Sequence, residues 1–139
     1  MLLHIIARGK IGRSPEGELI ERYLKRISWP TKLTELSERA PLPPVQAATV
    51  SVVLDEKGAA LSSMDLAKKL GQWRYRGSRE ARFIIGSADG HSDAERDSAD
   101  LLLSFGPATW PHLLVRAMLA EQLFRATSIL ANHPYHREG

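Results

Sequence analysis

The residues of this chain able to do chemistry fall into two groups, three glycine-bearing turns and a polar tail. The turns are Leu54-Asp55-Glu56-Lys57-Gly58, Gly86-Ser87-Ala88-Asp89-Gly90 and Phe105-Gly106-Pro107-Ala108-Thr109-Trp110. Glycine lets a backbone come close to a small molecule, so such turns can line a pocket with main-chain groups; any one of them serves equally well to end a strand. The tail, Asn132-His133-Pro134-Tyr135-His136-Arg137-Glu138-Gly139, has the composition of an RNA contact. Tyr135 can stack on an unpaired base, Arg137 is a permanent phosphate ligand, and His133 and His136 can exchange protons near neutral pH. Trp73-Arg74-Tyr75-Arg76-Gly77-Ser78-Arg79 with Arg82 forms a second cationic and aromatic group. It suits the solvated end of a helix equally well, because cations there complement the dipole.

Other chemistries are excluded by type or spacing. The chain has no cysteine, which removes disulfides, thiolate metal sites, iron-sulfur clusters and a cysteine nucleophile. Gly9-Lys10-Ile11-Gly12 fits neither a dinucleotide-binding nor a P-loop pattern, and no G-x-S-x-G or H-E-x-x-H motif occurs. His133 and His136 flank Pro134 without a helical i,i+4 pairing, which argues against a metal.

The elements that must position these groups alternate. Leu2 to Ala7 reads as a buried strand. Ser14-Pro15 opens a helix with an N-cap and a first-turn proline, and Leu19, Ile20, Tyr23, Leu24 and Ile27 form its apolar face. Thr31 to Ser37 predicts a half-exposed strand, and Ala40-Pro41-Leu42-Pro43-Pro44 an extended connection. Thr49 to Asp55 is a β-branched strand, followed by a helix capped at Ser62-Ser63 and ended at Gly77, and then by a strand over Ala81 to Ile85. Ser92 and Glu95 predict a capping box, Leu101 to Ser104 a last strand, and Pro111 to Ala131 the final helix. This is an α/β pattern: a mainly parallel five-stranded sheet with helices on both faces. In such sheets ligands bind beyond the carboxyl ends of the strands, where all three turns would then emerge.

The final helix is apolar over about half its circumference at about 100° per residue, through Leu114, Val115, Met118, Leu119, Leu123, Ala126, Ile129 and Leu130. That suggests a homodimer, or a two-sided contact within one chain. Arg125 falls inside this arc and needs an acceptor, either Glu121 or a phosphate.

At 139 residues, 43% apolar and 25% charged, the chain fits a single globular domain spanning residues 1–139. Its apolar runs are too short to cross a bilayer and its first residues show no leader, which predicts a soluble, cytoplasmic protein without membrane contact. The net charge of +3 is a mild lean towards polyanions.

Several segments together resemble a known family. They are Glu21-Arg22-Tyr23-Leu24-Lys25-Arg26, the Leu54-Asp55-x-x-Gly58 turn, Ile85-Gly86 with Gly90, Pro111-His112 with Leu114-Val115-Arg116, Glu121-Gln122-Leu123-Phe124-Arg125-Ala126, and Asn132-His133-Pro134-Tyr135-His136-Arg137. The family is that of the SPOUT-class (α/β-knot) methyltransferases acting on ring nitrogen N3 of a pseudouridine in 23S ribosomal RNA. The resemblance implies a C-terminal trefoil knot, a homodimer with sites at its interface, and S-adenosyl-L-methionine as cofactor. It places cofactor contacts on Leu54, Gly86 and Phe105, Gly106, Pro107, Ala108, Thr109 and Trp110. His136 and Tyr135 would handle the base, with Arg137, Arg125 and His112 serving the RNA and the reaction, on an assembled ribosome. Another RNA target, or a non-catalytic ribosome-binding role, would fit many of the same residues. Two features depart from the family pattern: Ser87 stands where a second glycine is common, and the segment from Pro41 to Thr49 is short.

Overall fold

The computed structural model describes residues 1–86 and 90–137. Strands β1 (Leu2–Arg8), β2 (Thr31–Leu36), β3 (Thr49–Ala60), β4 (Glu80–Ile85) and β5 (Leu101–Ser104) alternate with helices α1 (Pro15–Arg26), α2 (Ser63–Tyr75), α3 (Asp93–Asp97) and α4 (His112–Leu130). The helix starts follow from local chemistry. The Ser14 hydroxyl accepts the Gly17 amide at 3.1 Å, Ser62 and Asp65 form a reciprocal capping box, and the Ser92 hydroxyl accepts the Glu95 amide at 3.1 Å. α4 instead begins behind Pro111 with no side-chain cap.

The strands form one sheet in the order β2-β1-β4-β3-β5, and every pairing is parallel. Their carboxyl ends therefore share one edge, the condition under which separate turns can meet. Alternation along the strands sorts the side chains by face. Leu3, Ile5, Val52, Phe83 and Ile85 face the larger core, where Ile20 of α1, Leu66 and Leu70 of α2, and Leu119 and Leu123 of α4 also lie. Ile6, Val53 and Ile84 face the opposite way and pack with Leu42 of the proline-rich connection and with Ala99. α1, α2 and α4 thus lie on one face, while the other carries the short α3 and the connection. Arg8 and Arg82, both buried, pin that connection by donating to the carbonyls of Ala40 and Pro43, each at 2.6 Å.

Three expectations need correction. β3 does not end in a turn at Asp55–Gly58. Leu54 and Ala59 both pair with Leu103, so the four residues between them are looped out of register and the strand resumes beyond them. Gly58 is needed there for close approach, because a Cβ would lie 2.6 Å from the carbonyl carbon and oxygen of Leu102. The buried side of α4 also differs from the apolar arc: Arg116, Thr127 and Ser128 are buried while Leu114, Val115 and Met118 stay partly exposed. The Thr127 and Ser128 hydroxyls bond back to Leu123 and Phe124 carbonyls, which makes their burial affordable. Finally, Trp73 and Arg82 are core residues and not part of an exposed patch, whereas Tyr75 is 94% exposed and Arg74 lies over the Trp29 ring at 4.2 Å. The middle of the Gly86–Gly90 turn, including Ser87, lies outside the described residues. No helix is long and apolar enough to cross a membrane among the described residues.

Candidate functional site

At the carboxyl edge of the sheet lies a cleft of about 390 Å³. Its walls come from the looped-out segment of β3 (Leu54, Asp55, Glu56, Lys57), from the end of β4 and the residues after it (Ile85, Gly86, Gly90, His91), and from the segment after β5 (Phe105, Gly106, Ala108, Thr109, Trp110). His112 and Val115, from the first turn of α4, close it. Of the residues expected to contact a cofactor, all but Pro107 line this cleft, and His112 joins them. Gly86 has no room for a side chain, since a Cβ would stand 3.0 Å from the His91 ring and 3.1 Å from the Gly90 carbonyl.

The looped-out wall is held by bonds that sequence reasoning missed. Arg96 of α3 donates from Nε to Asp55 at 2.7 Å, and the Lys57 amide donates to the same carboxylate at 2.9 Å. The Lys57 amide first, and then Arg96, hold the Asp55 carboxyl below its ordinary value against the opposing effect of burial. His91 bonds the Leu54 carbonyl at 2.7 Å and faces Glu95 at 3.2 Å. Thr109 donates to Glu56 at 3.1 Å, tying the segment after β5 to the same wall. Periodicity could not have found the Arg96–Asp55, His91–Leu54 and Thr109–Glu56 partners, because these bonds join residues 41, 37 and 53 positions apart.

Tyr135, His136 and Arg125 gather elsewhere, around Glu121. Arg125 donates to both Glu121 oxygens, the shortest contact being 2.9 Å, which supplies an acceptor for the arginine of the apolar arc. The Tyr135 hydroxyl donates to Glu121 at 2.8 Å while its ring meets Phe124 edge-on at 4.5 Å between centroids. Burial first, with the Glu121 contact adding to it, pushes the Tyr135 hydroxyl up to about 12. It is therefore protonated at neutral pH. Arg125 also donates to Nδ1 of His136 at 3.1 Å, so that nitrogen acts as an acceptor. Arg137 is exposed. Glu121 lies nine residues beyond His112 on α4, about 14 Å along the axis at 1.5 Å per residue, and Tyr135, His136 and Arg137 do not line the cleft. A second cleft of about 430 Å³ bridges part of that distance, sharing Leu103, Phe105 and Gly106 with the first and reaching Met118 and Glu121.

The fold and the cleft define a class: an all-parallel α/β protein with a cleft at the carboxyl edge of its sheet, built from the looped-out segment of β3 and the residues after β4 and β5. Comparison with known proteins narrows this. The family described as "Predicted SPOUT methyltransferase" matches residues 1–136, and the chain belongs to that family. It is 66% identical over 140 residues to a protein of Rhizorhabdus wittichii named "Ribosomal RNA large subunit methyltransferase H", with all of both chains covered. A protein of the same name from Zymomonas mobilis is 59% identical over 142 residues, again over the whole of both chains. Among solved structures, "The structure of a probable methylase family protein from Haemophilus influenzae Rd KW20" superimposes with a TM-score of 0.54, covering 98% of this chain and 70% of that one. At 8% identity that likeness concerns the fold.

Proposed function

We propose that this chain is an S-adenosyl-L-methionine-dependent methyltransferase of large-subunit ribosomal RNA, acting on ring nitrogen N3 of a pseudouridine in the 23S molecule. One observation carries the reading: the looped-out segment of β3 and the residues after β4 and β5 converge on a single cleft in a chain of this methyltransferase family. The cleft suits the donor. Its volume of about 390 Å³ falls within the range of small-molecule sites, Leu54, Ile85, Leu103 and Val115 offer apolar walls, and Gly86, Gly90 and Gly106 leave main chain accessible. Asp55 and Glu56 place carboxylates beside a ligand that carries positive charge.

When bound, the donor supplies a methyl group already activated on a sulfonium. The chain's task is to hold the acceptor nitrogen in line and to take its proton. Tyr135, held protonated, serves as a stacking surface and donor. His136 helps to handle the same base, with Arg125 and Arg137 on phosphate or developing charge. Because the N3 edge is hidden in a base pair, the target is an exposed loop nucleotide. The partly exposed Leu114, Val115 and Met118 next to the cleft support a homodimer, in which the tail of one subunit serves the cleft of the other. A knotted C-terminal half, a cytoplasmic location and an assembled ribosome as substrate belong to the same reading.

The test is transfer of a labelled methyl group to ribosomes lacking the mark. We expect labelling at one pseudouridine, and its loss when residues 133–139 are deleted. Label on another RNA or on a ribose hydroxyl would move the target. Retained ribosome binding with no binding of the donor in calorimetry would make the protein a non-catalytic factor.

A further inference from the structure

His91 lies between two walls of the cleft, and the proposed methyltransferase reaction gives it no role. Its ring packs over Gly86 at the end of β4, and its side chain is 4% exposed. Nε2 stands 2.7 Å from the carbonyl oxygen of Leu54, where β3 leaves register. A carbonyl only accepts, so Nε2 carries a proton. Nδ1 stands 3.2 Å from Oε2 of Glu95. The other oxygen of that carboxylate accepts from Arg8 at 3.4 Å, and a carboxylate also only accepts. Both ring nitrogens therefore face acceptors. A neutral imidazole has one N–H and can satisfy one of them; the imidazolium satisfies both.

The consequence follows from losing that second proton. With the remaining proton on Nε2, the Nδ1 lone pair would point at the Glu95 carboxylate. With it on Nδ1, the Nε2 lone pair would point at the Leu54 oxygen. Either way a buried ring is pressed against a like lone pair, and the contact joining α3 to the β3 wall is lost. The charged groups around His91 are Glu95 and Arg96 of α3, Arg8 of β1 and Asp55 of β3; Arg96 and Asp55 are already paired with each other at 2.7 Å. Glu95 thus faces two partners, Arg8 and the His91 ring, while Arg96 and Asp55 form a pair of their own.

We propose that His91 is a positioning residue: its protonated ring, braced by Glu95, fixes the Leu54–Lys57 wall of the methyl-donor cleft, so that donor affinity falls as pH rises and the ring loses its second proton. The inference rests on reading the cleft as the donor site.

The experiment is calorimetric titration of the RNA-free protein with S-adenosyl-L-methionine between pH 5.5 and 8.5, for the wild type, His91→Gln, His91→Leu and Glu95→Gln. The amino group of the donor titrates identically in all four and cancels in the ratios. His91→Gln keeps a donor for Leu54 that does not titrate. It is expected to bind within a few-fold of wild type at low pH, and to bind better than wild type at pH 8.5. Relative to His91→Gln, wild-type affinity falls about tenfold per pH unit above the inflection if the deprotonated form binds negligibly. His91→Leu binds weakly throughout with no such inflection. In Glu95→Gln the side-chain amide can donate to an unprotonated Nδ1 as well as accept from a protonated one, so the fall in affinity at high pH is expected to be smaller. The ¹⁵N shifts of His91 in the free protein supply a second reading: both nitrogens protonated at pH 6. A neutral ring at that pH, or a wild-type profile parallel to that of His91→Leu, overturns the proposal. If the donor fails to bind at any pH, the reading of the cleft fails as well, while the ¹⁵N shifts still report separately on the clamp.

Discussion

Single residues shape the cleft through backbone contacts more than through reactive groups, and glycines show this most directly. Gly58→Ala would place a methyl 2.6 Å from the Leu102 carbonyl, forcing β3 away from β5. The expected loss is about 1–3 kcal/mol in urea unfolding, as for other overpacked sites. Gly12→Ala meets nothing within 4 Å and only has to adopt a φ of +59°, so it should cost about 1 kcal/mol. A Gly12 variant less stable than the Gly58 variant would contradict the contact argument. Asp55 makes a pH prediction. Its folded-state carboxyl is held below the ordinary value of 3.8, so it contributes stability above that value and loses it as pH falls through the lower, folded value. The advantage of wild type over Asp55→Asn in melting temperature should be full at pH 7 and shrink below about pH 4, as the carboxyl begins to protonate. Gly58 and Asp55 were visible in the sequence as a turn. Their actual role, a strand that leaves register and returns, was not, because it depends on where β5 runs.

Elements were the most legible scale. Ser14, Ser62 and Ser92 mark helix starts through local bonds, and local bonds are what a sequence window contains. α4 shows the limit. Its apolar arc was visible, but Arg116, wholly buried, was not recognised as part of the core. The spacing to Leu119, Ala120 and Leu123, at i+3, i+4 and i+7, was the available signal. The guanidinium reaches Glu35 of β2 at 2.6 Å and the carbonyls of Arg8 and Gly9 at 3.3 and 3.1 Å, joining α4 to the β1–α1 turn. Glu35 also accepts the Ile11 amide at 2.8 Å. Removing the carboxylate alone would strand a buried cation, so Glu35→Ala should cost about 3–5 kcal/mol. Arg116→Met removes the charge along with its bonds and should cost less. Denaturant unfolding of the two variants gives the order, and Arg116→Met as the costlier change would mean that the carbonyl contacts outweigh the ion pair.

The whole molecule poses a problem that neither residues nor elements solve. An all-parallel sheet brings the carboxyl ends of its strands to one edge, which the alternation of strands and helices predicts, but the strand order β2-β1-β4-β3-β5 is set by long-range packing and is not legible in the sequence. That order puts the cleft at the start of α4 and docks the tail around Glu121, about 14 Å further along the helix. Either the tail crosses that distance over the second cleft of its own chain, or it serves a partner. Mixing subunits separates the two. One chain carries Ala108→Arg, which fills the donor cleft but keeps the tail; the other lacks residues 133–139 but keeps the cleft. Each alone should be inactive. If tails act between subunits, random exchange makes half of the dimers mixed, each with one intact site, and activity should recover to about a quarter of wild type. If tails act within their own chain, a mixed dimer contains no intact site and the mixture stays inactive. Met118→Asp on both chains provides the control, since a charge in the partly exposed apolar strip beside the cleft should split the dimer in sedimentation and abolish recovery. A Met118→Asp mixture that stays dimeric and keeps its recovery would place the interface on another face of the molecule.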